Sequence, residues 1–216
     1  MYDLDDTIRQ RHSSRMFLPD PVPRHLIEES LRLAMYAPSN SNVQPWQLVV
    51  TSGPARDRLV TALLSKARSE PPRVPELPAA FAHLRRELGS QVYGSMGIDR
   101  DDAEARRIAV LRNWEFFRAP VGAVVFMHRD FGLVDSMGVG MFLQTLLLAL
   151  TARGLGTCVQ VSIAGYPEIV REELGIAPET TILCGLAIGY PDPYFSANSL
   201  RIGRDGLDKH VQFVDE

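Results

Sequence analysis

The feature that most constrains this 216-residue chain is a run at residues 134–153 that is apolar on almost every side. A helix that is apolar all round must be buried, so the run predicts a central helix. Its most apolar part, residues 139–150, is too short to span a bilayer and contains Gln144 and Thr145. We therefore expect a soluble protein that has no membrane partner.

The rest of the chain alternates helical periodicity with short apolar runs. A first helix is expected to run towards Gln10 with Asp5 or Asp6 as its cap, and further helices are predicted at residues 23–37, 56–67, 79–88, 102–117 and 168–174. Strands are predicted at residues 47–51, 121–127, 157–161 and 180–188. With no repeat and no boundary, this order predicts one domain over 1–216, an α/β or α+β sandwich with helices over a sheet.

Charge and cysteine usage exclude several classes of function. The formal net charge is -3 without a basic stripe, so nucleic acid is not an expected partner. The five histidines have no ligand spacing, so no metal site is expected. Cys158 and Cys184 lie in apolar runs, as buried thiols of a reducing cytoplasm do. The acidic N-terminus has no apolar signal stretch, which also favours a cytoplasmic location.

Two short stretches contain the letters of known motifs, but the surrounding sequence does not fit those motifs. Residues 128–132 contain both His-Arg-Asp and Asp-Phe-Gly, but one Asp130 cannot serve as the two aspartates of a kinase. Residues 154–159 lack the third glycine of a dinucleotide fingerprint, and they follow a helix where the fingerprint follows a strand. Neither string therefore defines the chemistry.

The first polar cluster that packing does not explain is Arg11-His12-Ser13-Ser14-Arg15. Three cationic side chains within five residues, with hydroxyls between them, suit a phosphate or an electron-rich ring edge. Arginine matches phosphate because its guanidinium presents a rigid fork of donors. The alternative is a solvated helix face, since Arg11 and Arg15 are four residues apart.

The second cluster is the loop at residues 37–46, Ala-Pro-Ser-Asn-Ser-Asn-Val-Gln-Pro-Trp. Ser39, Asn42 and Gln44 offer uncharged hydrogen-bonding groups on a backbone that Pro38 and Pro45 stiffen. Such a loop suits the edge of a flat heterocycle. An ordinary connecting loop is the alternative.

Together these motifs resemble the nitroreductase family of FMN enzymes. The family opens with Arg-x-Ser-x-Arg/Lys, as at residues 11–15, and continues with Ala-Pro-Ser-x-x-Asn-x-Gln-Pro-Trp, which residues 37–46 match at every fixed position. Residues 154–158, 174–176 and 187–191 are similar to its C-terminal half, and Arg201 and Arg204 to its last basic residues. The resemblance covers nearly the whole chain.

The resemblance implies an α+β fold with a central, mainly antiparallel sheet flanked by helices, in an intertwined homodimer. It also implies two FMN molecules between the subunits. Their expected contacts are Arg11 and Arg204 at the phosphate, with His12, Ser13 and Arg201 nearby; Arg15 at the pyrimidine edge; Pro38, Ser39, Asn42 and Gln44 from the other subunit; and Gln160, Val161 and Ser162 along the central ring.

The implied activity is FMN-dependent transfer of electrons from NADPH or NADH to small electron-poor acceptors such as nitroaromatics, quinones and enones. Donor and acceptor use one place in turn, which implies ping-pong kinetics, and no side chain need act as acid or base. The alternatives are reductive dehalogenation, oxidative breakdown of the flavin, and a flavin-binding redox sensor without turnover.

Residues 69–114 are long for a connection between core elements, so they are expected to be a variable lid. Four prolines stiffen residues 69–78, whereas Gly89, Gly94 and Gly97 permit bending. The expected lid contacts with an acceptor or a nicotinamide phosphate come from Arg85, Arg86, Tyr93 and Trp114. A solvated helix face with a packed tyrosine is the alternative.

Overall fold

The computed structural model describes residues 3–215, which form helices and one antiparallel sheet. The helices are α1 (Leu4–Gln10), α2 (Arg24–Ala34), α3 (Gly53–Ser69), α4 (Ala82–Ser95), α5 (Ala103–Leu111), α6 (Leu133–Thr151) and α7 (Pro167–Leu174). The strands are β1 (Gln47–Ser52), β2 (Val121–His128), β3 (Gly156–Gln160) and β4 (Thr180–Gly189). The predicted mixed α+β fold is confirmed.

The sheet has the order β1-β2-β4-β3, and every pairing is antiparallel. The central pair runs in register from Val121 opposite Ile188 to Val125 opposite Cys184, and a bulge follows Val125. Residues 121–127 of β2 are all buried because helices cover both faces of the sheet. This is why β2 is an unbroken apolar run with no alternation.

Neighbouring residues of β2 enter two separate cores. Val125 faces the core of α2 and α6, where Trp46 stacks on Phe142 with ring centroids 5.0 Å apart. Val124 faces the core of α3 and α7, which includes Leu59. The β-strand alternation therefore produces three layers: helices, sheet and helices.

Helix α6 matches the predicted central helix in its bounds, but only one of its faces is buried. Its other face exposes large apolar side chains, with relative accessibilities of 89% at Leu133, 59% at Val134 and 66% at Met137. By length and composition, the whole helix of 19 residues is long and apolar enough to cross a membrane. The expectation that this segment is too short to span a bilayer therefore holds only for its most apolar part, residues 139–150. In this fold, α6 packs on α2 and the sheet.

Three local predictions were wrong. The cap of α1 is Asp3, whose carboxylate accepts from the backbone N–H of Asp6 at 2.7 Å. Helix α4 continues through Gly89 and Gly94, because nothing in its packing requires the chain to bend there. The helix predicted at 102–117 ends at Leu111, and residues 116–118 all have positive φ.

Candidate functional site

The segment at residues 11–15 is held along the edge of the sheet. Ser13 forms a parallel bridge with Thr157 of β3, and the backbone N–H of Ser14 donates to the Thr157 carbonyl at 2.9 Å. The N–H of Arg15 donates to Oδ1 of Asn198 at 2.6 Å. These bonds fix an extended backbone, so Arg11 and Arg15 are not on a solvated helix face.

A pocket of about 340 Å³ adjoins this segment, and no carboxylate of the described residues lines it. Arg11, His12 and Arg201 line it. Burial lowers the pKa of Arg11, and the charge of Arg204 lowers it further. Burial also lowers the pKa of His12, and Arg201 and Arg11 act in the same direction. Because these shifts express mutual repulsion and lost hydration, an anion in the pocket would relieve both.

The same pocket has a free hydrogen-bonding group. Ser14 Oγ is buried and has no partner in the described part of the chain. Gly156 packs closely here, since an added Cβ would lie 2.4 Å from Pro191 Cγ and 2.7 Å from Ser14 Oγ. Arginine forks together with a hydroxyl are the donor set that a phosphate group takes. The lining of this pocket is therefore of a kind that suits a phosphate group.

Arg15, the last residue of the segment, lines a larger cleft of about 550 Å³. The predicted site residues among those that line it are Arg15, Arg85, Tyr93, Trp114, Gln160, Val161 and Ser162. Arg86 is exposed and is not part of this lining. An apolar-walled cleft with a few polar groups is the usual form of a site for a planar ligand.

Cys158 lies beneath the segment and leaves the charge of Arg15 intact. Burial raises the pKa of this thiol to about 11, so it is neutral near pH 7. Both cysteines are free and buried, as predicted. The positive charge of Arg15 is therefore available to a ligand in the cleft.

Gln160 joins the end of β3 to the far end of residues 69–114, which we call the cover. Its side chain is 2% exposed, and its Nε2 donates to the Asn113 carbonyl at 2.6 Å. Its Oε1 is buried and unpaired among residues 3–215. The side chain thus points into the protein, and the Gln160 backbone belongs to the β3–β4 ladder opposite Gly185.

Trp114 forms part of the wall of the cleft. It is 4% exposed, its indole packs near the Tyr166 ring at 5.7 Å, and its Nε1 donates to the Ser162 carbonyl at 3.2 Å. Tyr93 is half-buried, and the guanidinium of Arg106 lies 4.5 Å from the centre of its ring. The cover is therefore packed onto the cleft.

The loop at residues 37–46 lies apart from both cavities within one chain. Pro38, Asn42 and Gln44 are exposed, and neither cavity includes them. Ser41, Asn42 and Gln44 have positive φ, a strained geometry that is found mainly at functional sites. The loop packs against α6 at Gly138, where an added Cβ would lie 3.2 Å from that of Ser39.

Sequence reasoning missed several residues of the site. Asn198 fixes Arg15 and also donates to the Met16 carbonyl at 2.8 Å. Asn113 accepts the bond from Gln160, and Arg112 lines the cleft. No motif contains these residues, so only the fold brings them to the site.

Comparison with known proteins gives matches over nearly the whole chain. The model of the nitroreductase family matches residues 8–190. The chain is 39% identical to a 4-nitrobenzoate reductase of Pseudomonas putida, covering 98% of this chain and 96% of that protein. It is 35% identical to a nitrobenzene nitroreductase of Ectopseudomonas oleovorans, covering 99% and 97%.

Among solved structures, it is similar to the FMN-dependent nitroreductase NfnB of Mycobacterium smegmatis in complex with NADPH. The TM-score is 0.92 at 34% identity, and the match covers 98% of this chain and 97% of that one. The fold, the two motifs at residues 11–15 and 37–46, and these likenesses over nearly the full length lead to one assignment: the chain belongs to the nitroreductase family.

Proposed function

We propose that this protein is an FMN-dependent oxidoreductase that uses NADPH or NADH to reduce nitroaromatic compounds and other small electron-poor acceptors. The observation that carries the proposal is the position of residues 11–15 between a pocket suited to phosphate and a cleft suited to a planar ring. A flavin mononucleotide is a ring joined to one terminal phosphate. The relatives named for nitrobenzoate and nitrobenzene reduction, and the NADPH complex of NfnB, support it.

In this proposal the chain binds FMN at both ends. Arg11, His12 and Arg201 hold the phosphate, and Arg204 adds charge next to Arg11. Arg15 lies at the ring side, where a fixed cation favours an electron-rich ring. Bound there, FMN would supply the two-electron chemistry that links the nicotinamide to the acceptor.

The cleft sets the order of events. Its walls come mainly from residues 159–162 and from the cover, and in this proposal the nicotinamide and the acceptor use the same space. The nicotinamide and the acceptor therefore take turns, which produces ping-pong kinetics. The protein orients the guests and excludes water, and no side chain is required to move a proton.

We propose a homodimer with two copies of the site, in a soluble, cytoplasmic protein. Exposed apolar residues on α6 form a continuous stripe of Leu133, Met137 and Met141, which a second copy would cover. The loop at 37–46 lies beside α6 and outside both cavities of its own chain. This position supports the proposal that the loop serves the flavin of the partner.

The test is a flavin assay followed by two half-reactions. The purified protein should carry about one FMN per chain, should bleach on anaerobic mixing with NADPH or NADH, and should regain its colour with a nitroaromatic compound. FAD, or no flavin after reconstitution, would contradict the proposal. Bound FMN that neither nicotinamide reduces would identify a redox sensor, and reoxidation by halophenols alone would identify a dehalogenase.

A further inference from the structure

The cleft next to the flavin position carries positive charge without any carboxylate in its walls. Arg15, Arg85 and Arg112 all line it, and its other lining residues are uncharged. Neither Arg85 nor Arg112 forms an ion pair within residues 3–215. Arg15 is accounted for by the proposed flavin contact, so two cations remain without a counter-charge.

Arg112 differs from a flexible surface arginine because its position is fixed. It caps the C-terminal end of α5, and its carbonyl accepts from the N–H of Phe117 at 2.9 Å. The next residue, Asn113, is fastened to Gln160. A half-buried cation on a backbone held from both sides is pre-organised to bind an anion.

The present contacts of Arg112 are weak for a guanidinium. Its Nη1 lies 3.7 Å from the Met96 sulfur, and its charge lies 5.4 Å from the centre of the Phe195 ring. Its Nε is buried without a partner in the part of the chain that is described. A thioether and a ring leave the fork of donors mostly unused, whereas a carboxylate would engage it in two hydrogen bonds.

We propose that Arg112, with Arg85 at the exposed rim, selects acceptors that carry a carboxylate on the aromatic ring. The inference rests on the proposed function and names the substrate class of the same site. The aromatic walls, Tyr93, Trp114 and Phe195, contact the ring of such an acceptor, and Arg112 binds its carboxylate. Arg112 is thus a specificity-determining residue, and it takes no part in electron transfer.

The test compares two acceptors that have the same nitroaromatic ring and differ in charge. The specificity constant kcat/KM is measured with para-nitrobenzoate and with its neutral methyl ester for the wild type, R112Q, R112K and the control R107Q. The quantity compared is the ratio of kcat/KM for para-nitrobenzoate to kcat/KM for the ester. Arg107 is on the same helix, is exposed, pairs with Glu104 and lies outside the cleft. FMN content is measured for every variant.

R112Q should lower this ratio by about tenfold or more, the usual effect of removing a charged hydrogen bond. R112K should lie between R112Q and the wild type, because lysine keeps the charge but loses the fork. R107Q should keep the wild-type ratio. An unchanged ratio in R112Q with FMN retained would overturn the proposal. Loss of FMN from R112Q would also overturn it, and so would a changed preference between NADPH and NADH while the ratio for the two acceptors stays the same.

A binding measurement on the wild type keeps the proposal testable if R112Q does not fold. Benzoate and benzamide are titrated into the oxidised holoenzyme and followed by the flavin absorbance. Benzoate should bind more tightly, and its affinity should fall with salt; equal affinities would overturn the assignment of Arg112. If the wild type reduces para-nitrobenzoate and its methyl ester equally well, only this inference is overturned. If the protein binds no flavin, the proposed function is overturned and this inference with it.

Discussion

The indole Nε1 of Trp114 donates to the backbone carbonyl of Ser162 at 3.2 Å, which ties the last residue of the cover to the turn after β3. The first part of the cover is tied to the same turn. The Arg73 N–H donates to the Gly165 carbonyl at 3.0 Å, and the Tyr166 hydroxyl donates to the Glu70 carbonyl. Both ends of the cover thus depend on residues 160–168, whose first residues line the cleft.

Replacing Trp114 with phenylalanine should weaken this attachment. The variant keeps a ring in the core but leaves the Ser162 carbonyl without its donor, which costs about 1 kcal/mol of unfolding free energy. We expect a lower denaturant midpoint and a higher KM for the acceptor, with FMN still bound. Tyr194→Phe, at a side chain that is 94% exposed, is the control. Wild-type stability in Trp114→Phe would show that the bond contributes nothing.

Gly165→Ala should displace the beginning of the cover. The new Cβ would lie 2.6 Å from the Cβ of Pro72, a stiff neighbour that cannot turn aside. Overpacking of this kind costs roughly 1–3 kcal/mol. Acceptor kinetics should change while FMN content holds. Gly94→Ala in α4, where an added Cβ meets nothing within 4 Å, should be neutral or stabilising; equal behaviour of the two variants would contradict the packing argument.

The elements of the core could be predicted because their patterns are strong. Strand β2 and helix α6 lie within two residues of their predicted ends, since long apolar runs and flanking glycine or proline residues define both. Gly89 and Gly94 misled the prediction of α4, because a glycine can bend a helix but does so only where packing requires it. Phe116 and Phe117 have positive φ, which no local sequence signal predicts for such residues.

The site was predictable only as far as its motifs reach. Arg11 and Arg15 lie in a recognisable string, and the structure places them between the two cavities. Arg112 and Asn198 come from α5 and the C-terminal tail, and their roles depend on contacts across the fold with Phe195 and Arg15. Trp114 was predicted to belong to a lid. Its burial against Tyr166 could not be predicted, because that residue lies 52 positions away in the sequence.

His12 should make stability depend on pH in the flavin-free protein. Burial and the nearby Arg201 and Arg11 lower its pKa in the folded state below the ordinary value of about 6.5. The unfolded chain therefore binds the proton more readily than the folded protein does. The contribution of His12 to the free energy of unfolding is fully present above about pH 6.5 and is lost as the pH falls through the folded-state pKa. Urea midpoints at pH 7.5 and 5.5 should differ less in His12→Gln than in the wild type. His25→Gln, at an exposed side chain, should leave the difference as it is.

The exposed face of α6 should be the centre of the dimer interface. Met137 is 66% exposed in one chain, so Met137→Glu costs a monomer little but places a charge in the proposed interface. Light scattering should show a shift towards monomer, with loss of FMN because the loop at 37–46 no longer reaches the partner's site. Ile108→Glu on α5, at a residue that is 48% exposed, should remain dimeric. A dimeric, yellow Met137→Glu variant would place the interface elsewhere.

Alanine variants of the two C-terminal arginines should separate the phosphate ligand from its neighbour. Arg204 acts on Arg11 through its charge, and its Nη1 donates to the Ile202 carbonyl at 2.7 Å. Arg201 lines the pocket, and its Nη1 donates to the Asn198 carbonyl at 3.1 Å. Arg204→Ala should weaken FMN by about ten- to a hundredfold, the range for a charged hydrogen bond, and Arg201→Ala should weaken it less. Flavin fluorescence titration of the stripped protein measures both, and free riboflavin, which lacks the phosphate, is the control ligand whose affinity neither variant should change. If Arg201→Ala weakened FMN binding more than Arg204→Ala, Arg201 would be the principal phosphate ligand, in agreement with its position in the lining of the pocket.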